Sequence, residues 1–218
     1  MEEIAVIDYG MGNLRSVAKA LEHVAPRQCR IRVTSDPDVV RRCARVVFPG
    51  QGAAGDCMQA LGATGLADAI REVVHTRPFL GICMGMQVLV GHSEENQGTA
   101  CLGIFPGEVR YFGDAFERHA QGQHLKIPHM GWNRIHQLHP HPLWTGVAQD
   151  SYFYFVHSYY VDPAQPEVVA GVTEYGIEFC SVIATGNVFA MQCHPEKSAG
   201  TGLRLLENFC RWEGTESA

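Results

Sequence analysis

Cys83 stands between two glycines in the stretch "GICMG", residues 81–85, where an apolar run ends. This is the cysteine form of the G-x-S-x-G nucleophile elbow, a sharp strand-to-helix turn that exposes its central side chain. Side chains two residues before and after the nucleophile would collide across such a turn, which explains both glycines. A helix predicted to begin after Cys83 would present its positive end to the sulfur and favour a thiolate. The pattern therefore predicts that Cys83 is a nucleophile.

A nucleophilic thiol needs a base, and the base needs an orienting group. The stretch "QCHPEKS" near the C-terminus offers both. Pro195 restricts His194 to extended backbone, and residues i and i+2 of an extended segment project to the same side. We therefore expect Glu196 to hold His194 through Nδ1 and to leave Nε2 facing Cys83. Cys193 is expected to point to the opposite side, which makes it a poor nucleophile.

The third chemical element is "FPGQG", residues 48–52, at the end of another predicted strand. Acyl transfer needs backbone N–H donors aimed at the developing oxyanion. Gly50 and Gly52 would allow the peptide at Gln51 to turn its N–H toward the thiol. An ordinary strand-to-loop turn is the alternative reading of the same residues.

Hydrophobic patterning predicts the elements that must carry these motifs. Ile4–Asp8 reads as a strand buried on both faces, followed by Asn13 as a helix N-cap. An apolar stripe at helical spacing runs over residues 66–74. The alternation with the strand-like runs "CRIRVT", "RVVFPG" and "PFLGIC" predicts an α/β fold with a mostly parallel sheet and helices on both faces. The second half is strand-rich, which predicts antiparallel additions, in the runs "LGIFPGEVRYF", "SYFYFVHSYYV", "EVVAGVTEYG", "IEFCSVIATG" and "NVFAMQCH".

Composition limits the class of protein. Of the 218 residues, 46% are hydrophobic and 18% are charged, which indicates a globular chain and is compatible with one domain over residues 1–218. A formal net charge of −6 argues against non-specific nucleic-acid binding. The start of the chain is acidic and no apolar run approaches the length of a membrane span. The eight cysteines are scattered without C-x-x-C spacing, so we expect reduced thiols in a cytoplasmic protein.

The motifs together resemble a known family. "PGQG", "GICMGMQ" and "HPEKS", in this order, are similar to those of the class I glutamine amidotransferases. The stretches "DYGMGN", "PHMGWN", "YFVHSYY" and "TEYG" narrow the likeness to the glutaminase subunits of imidazole glycerol phosphate synthases. The resemblance covers nearly the whole chain. It implies a three-layer, flavodoxin-like α/β fold.

The resemblance also implies a mechanism and a partner. Cys83 attacks the side-chain amide of L-glutamine while His194, held by Glu196, transfers protons. A glutamyl thioester forms, ammonia leaves and water releases glutamate. In this family ammonia passes to a separate (β/α)-barrel cyclase subunit, which forms imidazole glycerol phosphate and aminoimidazole carboxamide ribonucleotide. No metal, organic cofactor, nucleic acid or membrane is implied.

Further positions match functional segments of the family. Gly50, Gln51 and Gly52 match its oxyanion strand. The resemblance implies two other sets: substrate contacts at Gln87, Glu95, His157, Ser158 and Tyr159, and subunit-interface contacts at Asn13, Trp132 and Lys197.

Other functions compete with this interpretation. A dinucleotide-binding fingerprint begins in "DYGMGNLRS", but Arg15 occupies the place of the third glycine. The cluster His136, His139 and His141 suggests a metal site, although its two prolines and lack of a matching ligand pair favour a solvated turn. Within enzymes, an amidotransferase of another pathway and a cysteine hydrolase with the same elbow stay open.

Overall fold

The computed structural model describes residues 2–113, 115 and 125–214. The strands in these ranges are β1 Glu2–Ile7, β2 Cys29–Thr34, β3 Arg45–Gly50, β4 Phe79–Cys83, β5 Val90–Ser93, β6 Thr99–Ala100, β7 Phe105–Tyr111, β8 His129–Arg134, β9 His136–Gln137, β10 Tyr152–His157, β11 Tyr159–Pro163, β12 Val169–Glu174, β13 Glu178–Thr185 and β14 Val188–Met191. The α-helices are α1 Leu14–Val24, α2 Pro37–Arg42, α3 Ala54–Thr64, α4 Leu66–Val73, α5 Met84–Gln87 and α6 Ala199–Arg211.

The strands that end at the elbow and at the "FPGQG" loop are neighbours in a parallel sheet. Its order is β2-β1-β3-β4-β14, and all of these neighbours pair in parallel. The register of β3 and β4 sets Gly50 directly beside Cys83. Because parallel strands end at one edge of a sheet, the predicted oxyanion loop and the predicted nucleophile share that edge.

Antiparallel strands extend the sheet beyond β14, in the order β14-β13-β11-β7, and β12 pairs with β13. A separate antiparallel pair, β8 with β10, lies outside this sheet. The prediction of an α/β fold with a parallel central sheet and antiparallel additions is confirmed.

Except at the edge strand β2, whose residues are half-buried or exposed, both faces of the parallel strands are buried, which makes the architecture three-layered. In β1, Ala5 and Ile7 join one core and Ile4 and Val6 join the other. Helices α2, α3 and α4 cover the first face, whereas α1 and α6 cover the second together with Phe153 and Phe155 of β10. This explains why the central strands read as continuous apolar runs and not as alternating ones.

Local predictions were correct at many boundaries. The Asn13 side chain caps α1 by accepting a hydrogen bond from the Ser16 N–H at 3.4 Å. The helix predicted to begin after Cys83 is present, with four residues, and gives way to β5. One expectation was wrong in detail. The run "SYFYFVHSYYV" forms two strands in different sheets, divided at Ser158, because each half pairs with a different neighbour.

Candidate active site

Cys83 adopts the strained backbone of a nucleophile elbow. Its φ of 56° and ψ of −109° lie where side chains are rarely found. A Cβ at Gly85 would stand 1.8 Å from the Phe48 carbonyl oxygen, and one at Gly81 would stand 2.6 Å from the Gly85 carbonyl oxygen. Glycine is therefore required on both sides because the turn packs against β3 and against itself.

His194 and Glu196 form a buried pair. The imidazole Nδ1 lies 2.9 Å from the Glu196 Oε1, and their side chains are 2% and 1% exposed. The predicted contact is present, and His194 has the extended backbone expected before Pro195, with φ of −107° and ψ of 95°. The extended segment does not continue as expected: strand β14 ends at Met191, and a 3-10 turn over Pro195–Lys197 brings Glu196 back to His194.

The backbone around His194 is anchored to strand β10. The His194 N–H donates to the Tyr154 carbonyl at 2.9 Å. The Ser198 hydroxyl donates to the His194 carbonyl at 2.6 Å and accepts from the Tyr154 N–H at 3.0 Å. Both backbone polar groups of His194, its N–H and its carbonyl, are therefore fixed by hydrogen bonds.

Electrostatics couple His194 to the thiol. Burial lowers the pKa of His194, but the Cys83 thiolate and the Glu196 carboxylate more than offset this effect and raise it to about 10. Nδ1 faces Glu196, so the interaction of the imidazole with the Cys83 sulfur falls to the buried Nε2 atom, which is therefore placed for proton transfer. Cys193 is fully buried, and burial raises its pKa well above the ordinary value, as expected of an inert thiol.

These groups open into a cavity of about 450 Å³, a size that suits a small metabolite. Most of the predicted catalytic, oxyanion and substrate residues line it: Gln51, Gly52, Cys83, Gln87, Glu95, His157, Ser158, Tyr159 and His194. Lys197, predicted at the subunit interface, lines it too, whereas Gly50 and Glu196 are not among the lining residues. Met84, which sequence reasoning missed, also lines the cavity. Its backbone N–H is the first of α5, has no partner within the helix and follows the nucleophile, as an oxyanion donor does in such elbows.

The glycine loop after β3 packs tightly against Tyr9. A Cβ at Gly50 would lie 2.5 Å from the Tyr9 hydroxyl, and Gly52 has a φ of +93°. Burial raises the pKa of Tyr9, while an interaction with the Gln51 backbone acts in the opposite direction. The Gln51 peptide, which lies beside the cavity, therefore contacts Tyr9. Its predicted role as an oxyanion donor stays a prediction.

Gln87 is held by two hydrogen bonds from one atom. Its Nε2 donates to the Tyr159 carbonyl at 3.2 Å and to the Gln192 Oε1 at 3.0 Å. Both amide hydrogens are thereby used, so the remaining polar atom of this nearly buried side chain is Oε1, an acceptor suited to an ammonium group.

Glu95 joins the pocket to helix α3. Its Oε2 accepts the Ala54 N–H at 2.7 Å, at a helix start whose N-cap residue makes no side-chain hydrogen bond. A carboxylate is favoured there because the helix N-terminus carries partial positive charge. Glu95 therefore has a capping role in addition to lining the cavity.

A histidine pair leads from the pocket to strand β8. His157 Nδ1 donates to the Tyr159 carbonyl at 2.8 Å, and its Nε2 lies 2.9 Å from His129 Nδ1. His129 Nε2 lies 3.2 Å from Asn133 Nδ2. Burial lowers the pKa of His129 to about 4 and that of His157 to about 3. Both rings are therefore neutral at pH 7, and each donates one hydrogen bond and accepts another.

Two of the predicted interface residues, Trp132 and Lys197, lie beside the Tyr154 ring, and Lys197 also lines the cavity. Trp132 is 50% exposed and meets Tyr154 edge-on at 6.2 Å, while the Lys197 ammonium stands 5.8 Å from the Tyr154 ring centre. Met130, also on β8, is 62% exposed. Asn13 is mainly the cap of α1, a helix that packs against the 3-10 turn of Lys197.

The residues behind the competing interpretations have local roles. His136 Nδ1 lies 2.9 Å from Asp150 Oδ1, and His141 Nδ1 accepts the Leu143 N–H at 3.1 Å. Gly12 of "DYGMGN" lies against the loop after β3, because a Cβ at Gly12 would stand 3.7 Å from the Gly50 Cα and from the Gln51 nitrogen. Across the described ranges, none of the helices is long and apolar enough to cross a membrane.

The chain matches a known family over most of its length. The family model of glutamine amidotransferase class-I matches residues 5–212, so the chain belongs to the class I glutamine amidotransferases. The chain is 56% identical to "Imidazole glycerol phosphate synthase subunit HisH" of Thiobacillus denitrificans, over 99% of this chain and 94% of that protein. It is 53% identical to the protein of the same name from Pseudomonas putida, over 98% of this chain and 99% of the relative.

Solved structures share the fold at low sequence identity. The structure of PurLQS from Thermotoga maritima aligns with a TM-score of 0.69 at 15% identity, over 96% of this chain and 97% of that one. A glutamine amidotransferase from the same organism aligns with a TM-score of 0.58 at 15% identity, over 92% and 78%. At this identity the likeness shows the fold alone.

Proposed function

We propose that this protein is the glutaminase subunit of an imidazole glycerol phosphate synthase, with Cys83, His194 and Glu196 as its catalytic triad. The observation that carries the proposal is the buried Cys83–His194–Glu196 cluster, of which Cys83 and His194 line a cavity of metabolite size. The identity to proteins named as this subunit supports the choice of pathway.

The reaction proceeds by acyl transfer to sulfur. The Cys83 thiolate attacks the side-chain carbonyl carbon of L-glutamine, and the resulting oxyanion is stabilised by backbone N–H groups of the loop at Gly50, Gln51 and Gly52. His194 gives its proton to the departing nitrogen, so ammonia leaves and a glutamyl thioester is left. Water then attacks the thioester while His194 accepts its proton. The carbon–sulfur bond breaks, glutamate leaves and the thiolate is restored.

The substrate is held by its amino-acid head group. In this proposal Gln87 Oε1 and the Glu95 carboxylate receive the ammonium group, while the segment of His157, Ser158 and Tyr159 lines the same cavity. The hydrogen bonds of Gln87 support this role. Its amide nitrogen already donates to two groups of the protein, so Oε1 is the atom of this side chain that is left to accept from the substrate.

The partner is a (β/α)-barrel cyclase subunit in a heterodimer. Trp132, Lys197 and Asn13 lie in this proposal at the interface, and the exposed aromatic and methionine side chains on β8 support an interface there. Ammonia passes to the cyclase for formation of imidazole glycerol phosphate and aminoimidazole carboxamide ribonucleotide. No cofactor takes part in the chemistry of this subunit. The chain acts as one amidotransferase domain over residues 1–218 in the cytoplasm.

The test is a partner-dependent glutaminase assay. We expect weak glutamate release by the protein alone and strong release when a cyclase subunit with its nucleotide is present. Cys83→Ala is expected to abolish synthesis from glutamine and to leave synthesis from added ammonia intact. Retained glutamine-dependent turnover in Cys83→Ala would show that Cys83 is not the nucleophile. A rate of glutamate release that is the same with and without the cyclase subunit would indicate an amidotransferase of another pathway.

A further inference from the structure

A wholly buried glutamine touches the proposed nucleophile. Gln192 directly follows β14, and its backbone N–H donates to the Ser181 carbonyl at 2.9 Å, which fixes its place at the edge of the sheet. Its side-chain Nε2 lies 3.6 Å from Cys83 Sγ, a hydrogen-bond distance for sulfur. Sequence reasoning treated the stretch "QCHPEKS" only as the source of His194 and Glu196.

The direction of this hydrogen bond is imposed by a backbone carbonyl. The Tyr159 carbonyl is only an acceptor, so the end of the Gln87 side chain that faces it must be the nitrogen. That same nitrogen faces Gln192, so the facing atom of Gln192 must be its oxygen. The Gln192 nitrogen is left to point at the sulfur. The row Tyr159–Gln87–Gln192–Cys83 therefore ends in an N–H donated to the thiol.

The Tyr159 carbonyl, the first group of this row, has its hydrogen bonds fixed as well. The Tyr159 carbonyl also accepts the Nδ1–H of His157, which uses both of its lone pairs. Both His157 and Gln192 are buried, at 6% and 0% exposure. Reversal of either amide would set two acceptors or two donors against each other in a place without competing solvent.

We propose that Gln192 is a further catalytic residue, which donates a hydrogen bond to the Cys83 thiolate and links it to the head-group residue Gln87. The proposal rests on the proposed glutaminase function. A donor at sulfur stabilises the thiolate before attack and again when the thioester carbon–sulfur bond breaks and the electron pair returns to sulfur. In the thioester between these steps the sulfur is neutral and accepts more weakly. The contact therefore acts on the charged forms of the nucleophile and leaving group.

Two substitutions separate the hydrogen bond from packing. Gln192→Met keeps the size of the side chain and removes the donor, whereas Gln192→Glu keeps its shape and sets a carboxylate against the sulfur. The matched control is Ser181→Ala, because Ser181 is equally buried on the neighbouring strand and its hydroxyl has no hydrogen-bond partner among the described residues.

The readout is the pH dependence of iodoacetamide alkylation of the full-length protein, followed by mass spectrometry on the peptide that contains Cys83. We expect the midpoint of the rate profile to rise by about one pH unit in Gln192→Met, since hydrogen bonds to charged groups have about this effect. Gln192→Glu should raise it further, and Ser181→Ala should leave it unchanged. With the cyclase partner, glutamate release by Gln192→Met should fall by about tenfold because the charged sulfur loses a hydrogen bond in both steps.

An unchanged alkylation midpoint in a folded Gln192→Met protein overturns the proposal. If neither variant folds, the wild type still decides, because alkylation of Cys83 removes the sulfur charge and must shift the NMR resonances of the Gln192 side-chain amide. No shift also overturns the proposal. Failure of wild-type protein to release glutamate with the partner would instead count against the glutaminase function, since alkylation does not depend on glutamine.

Discussion

The replacement Glu196→Gln tests the charge at the base of the site. Glutamine has the size of glutamate and its Oε1 still accepts the His194 Nδ1–H, so the variant keeps the 2.9 Å hydrogen bond and loses the negative charge. Both side chains are buried, at 2% and 1% exposure, so water does not screen the change.

The magnitude follows from the difference between a hydrogen bond to a charged group, about 1.5–3 kcal/mol, and one between neutral groups, about 0.5–1.5 kcal/mol. If this difference of about 1–1.5 kcal/mol is lost in the transition state, kcat/KM for glutamine falls by about 5- to 13-fold. The carboxylate is also one of the causes that raise the pKa of His194 to about 10. Without it the imidazolium loses its proton at lower pH, so the alkaline limb of the rate profile moves downward.

The assay measures glutamate release from pH 6 to pH 10 in the complex with a cyclase subunit, beside synthesis from added ammonia. Glu207→Gln is the matched control, because Glu207 lies in a partly exposed ion pair with Arg204 at 2.7 Å. The control should change the rate by less than about twofold, since such pairs contribute little. An alkaline limb in Glu196→Gln that coincides with that of the wild type would refute the reasoning.

Three further outcomes are expected. Gly85→Ala should destabilise the fold by about 3 kcal/mol or more in urea unfolding, because its Cβ would stand 1.8 Å from the Phe48 carbonyl oxygen; wild-type stability would contradict this contact. Burial lowers the pKa of His157 to about 3, so its neutral form favours the fold above pH 6.5 and stability falls as pH drops from 6.5 toward 3. The loss of stability between pH 7.5 and 5 should shrink in His157→Asn, and an equal loss would argue against a buried neutral ring. Trp132→Ala should weaken cyclase binding by about 30-fold in titration calorimetry, as for buried interface aromatics. Leu138→Ala, at a similarly exposed position, is its control, and equal effects would place the interface elsewhere.

Local stereochemistry made the elbow at Cys83 predictable. A sharp turn between strand and helix restricts its own neighbours, so the glycines around Cys83 reveal the turn in the sequence alone. The contact of His194 with Glu196 and the extended backbone of His194 before Pro195 were also predictable. The 3-10 turn at Pro195–Lys197 was not, because the spacing suggested that the extended segment continues to Glu196.

Pairing between distant strands decided what the sequence left open. The run that contains Tyr154 and Tyr159 has strand character throughout, and nothing local shows that its halves enter different sheets at Ser158. That division sets Tyr154 against the His194 backbone and Tyr159 against Gln87. Hydrogen-bonded pairing is a long-range choice, so residue types along one segment do not encode it.

The sequence alone determined the residue types of the site, the parallel α/β layers and the turn at Cys83, because each depends on neighbours within a few positions or on hydrophobic period. Only the tertiary structure decided that Gln192 donates to a sulfur 109 positions away and that the neutral His129–His157 pair joins β8 to the pocket. Such contacts depend on distance and donor direction across the folded chain, and these exist only after the strands have paired.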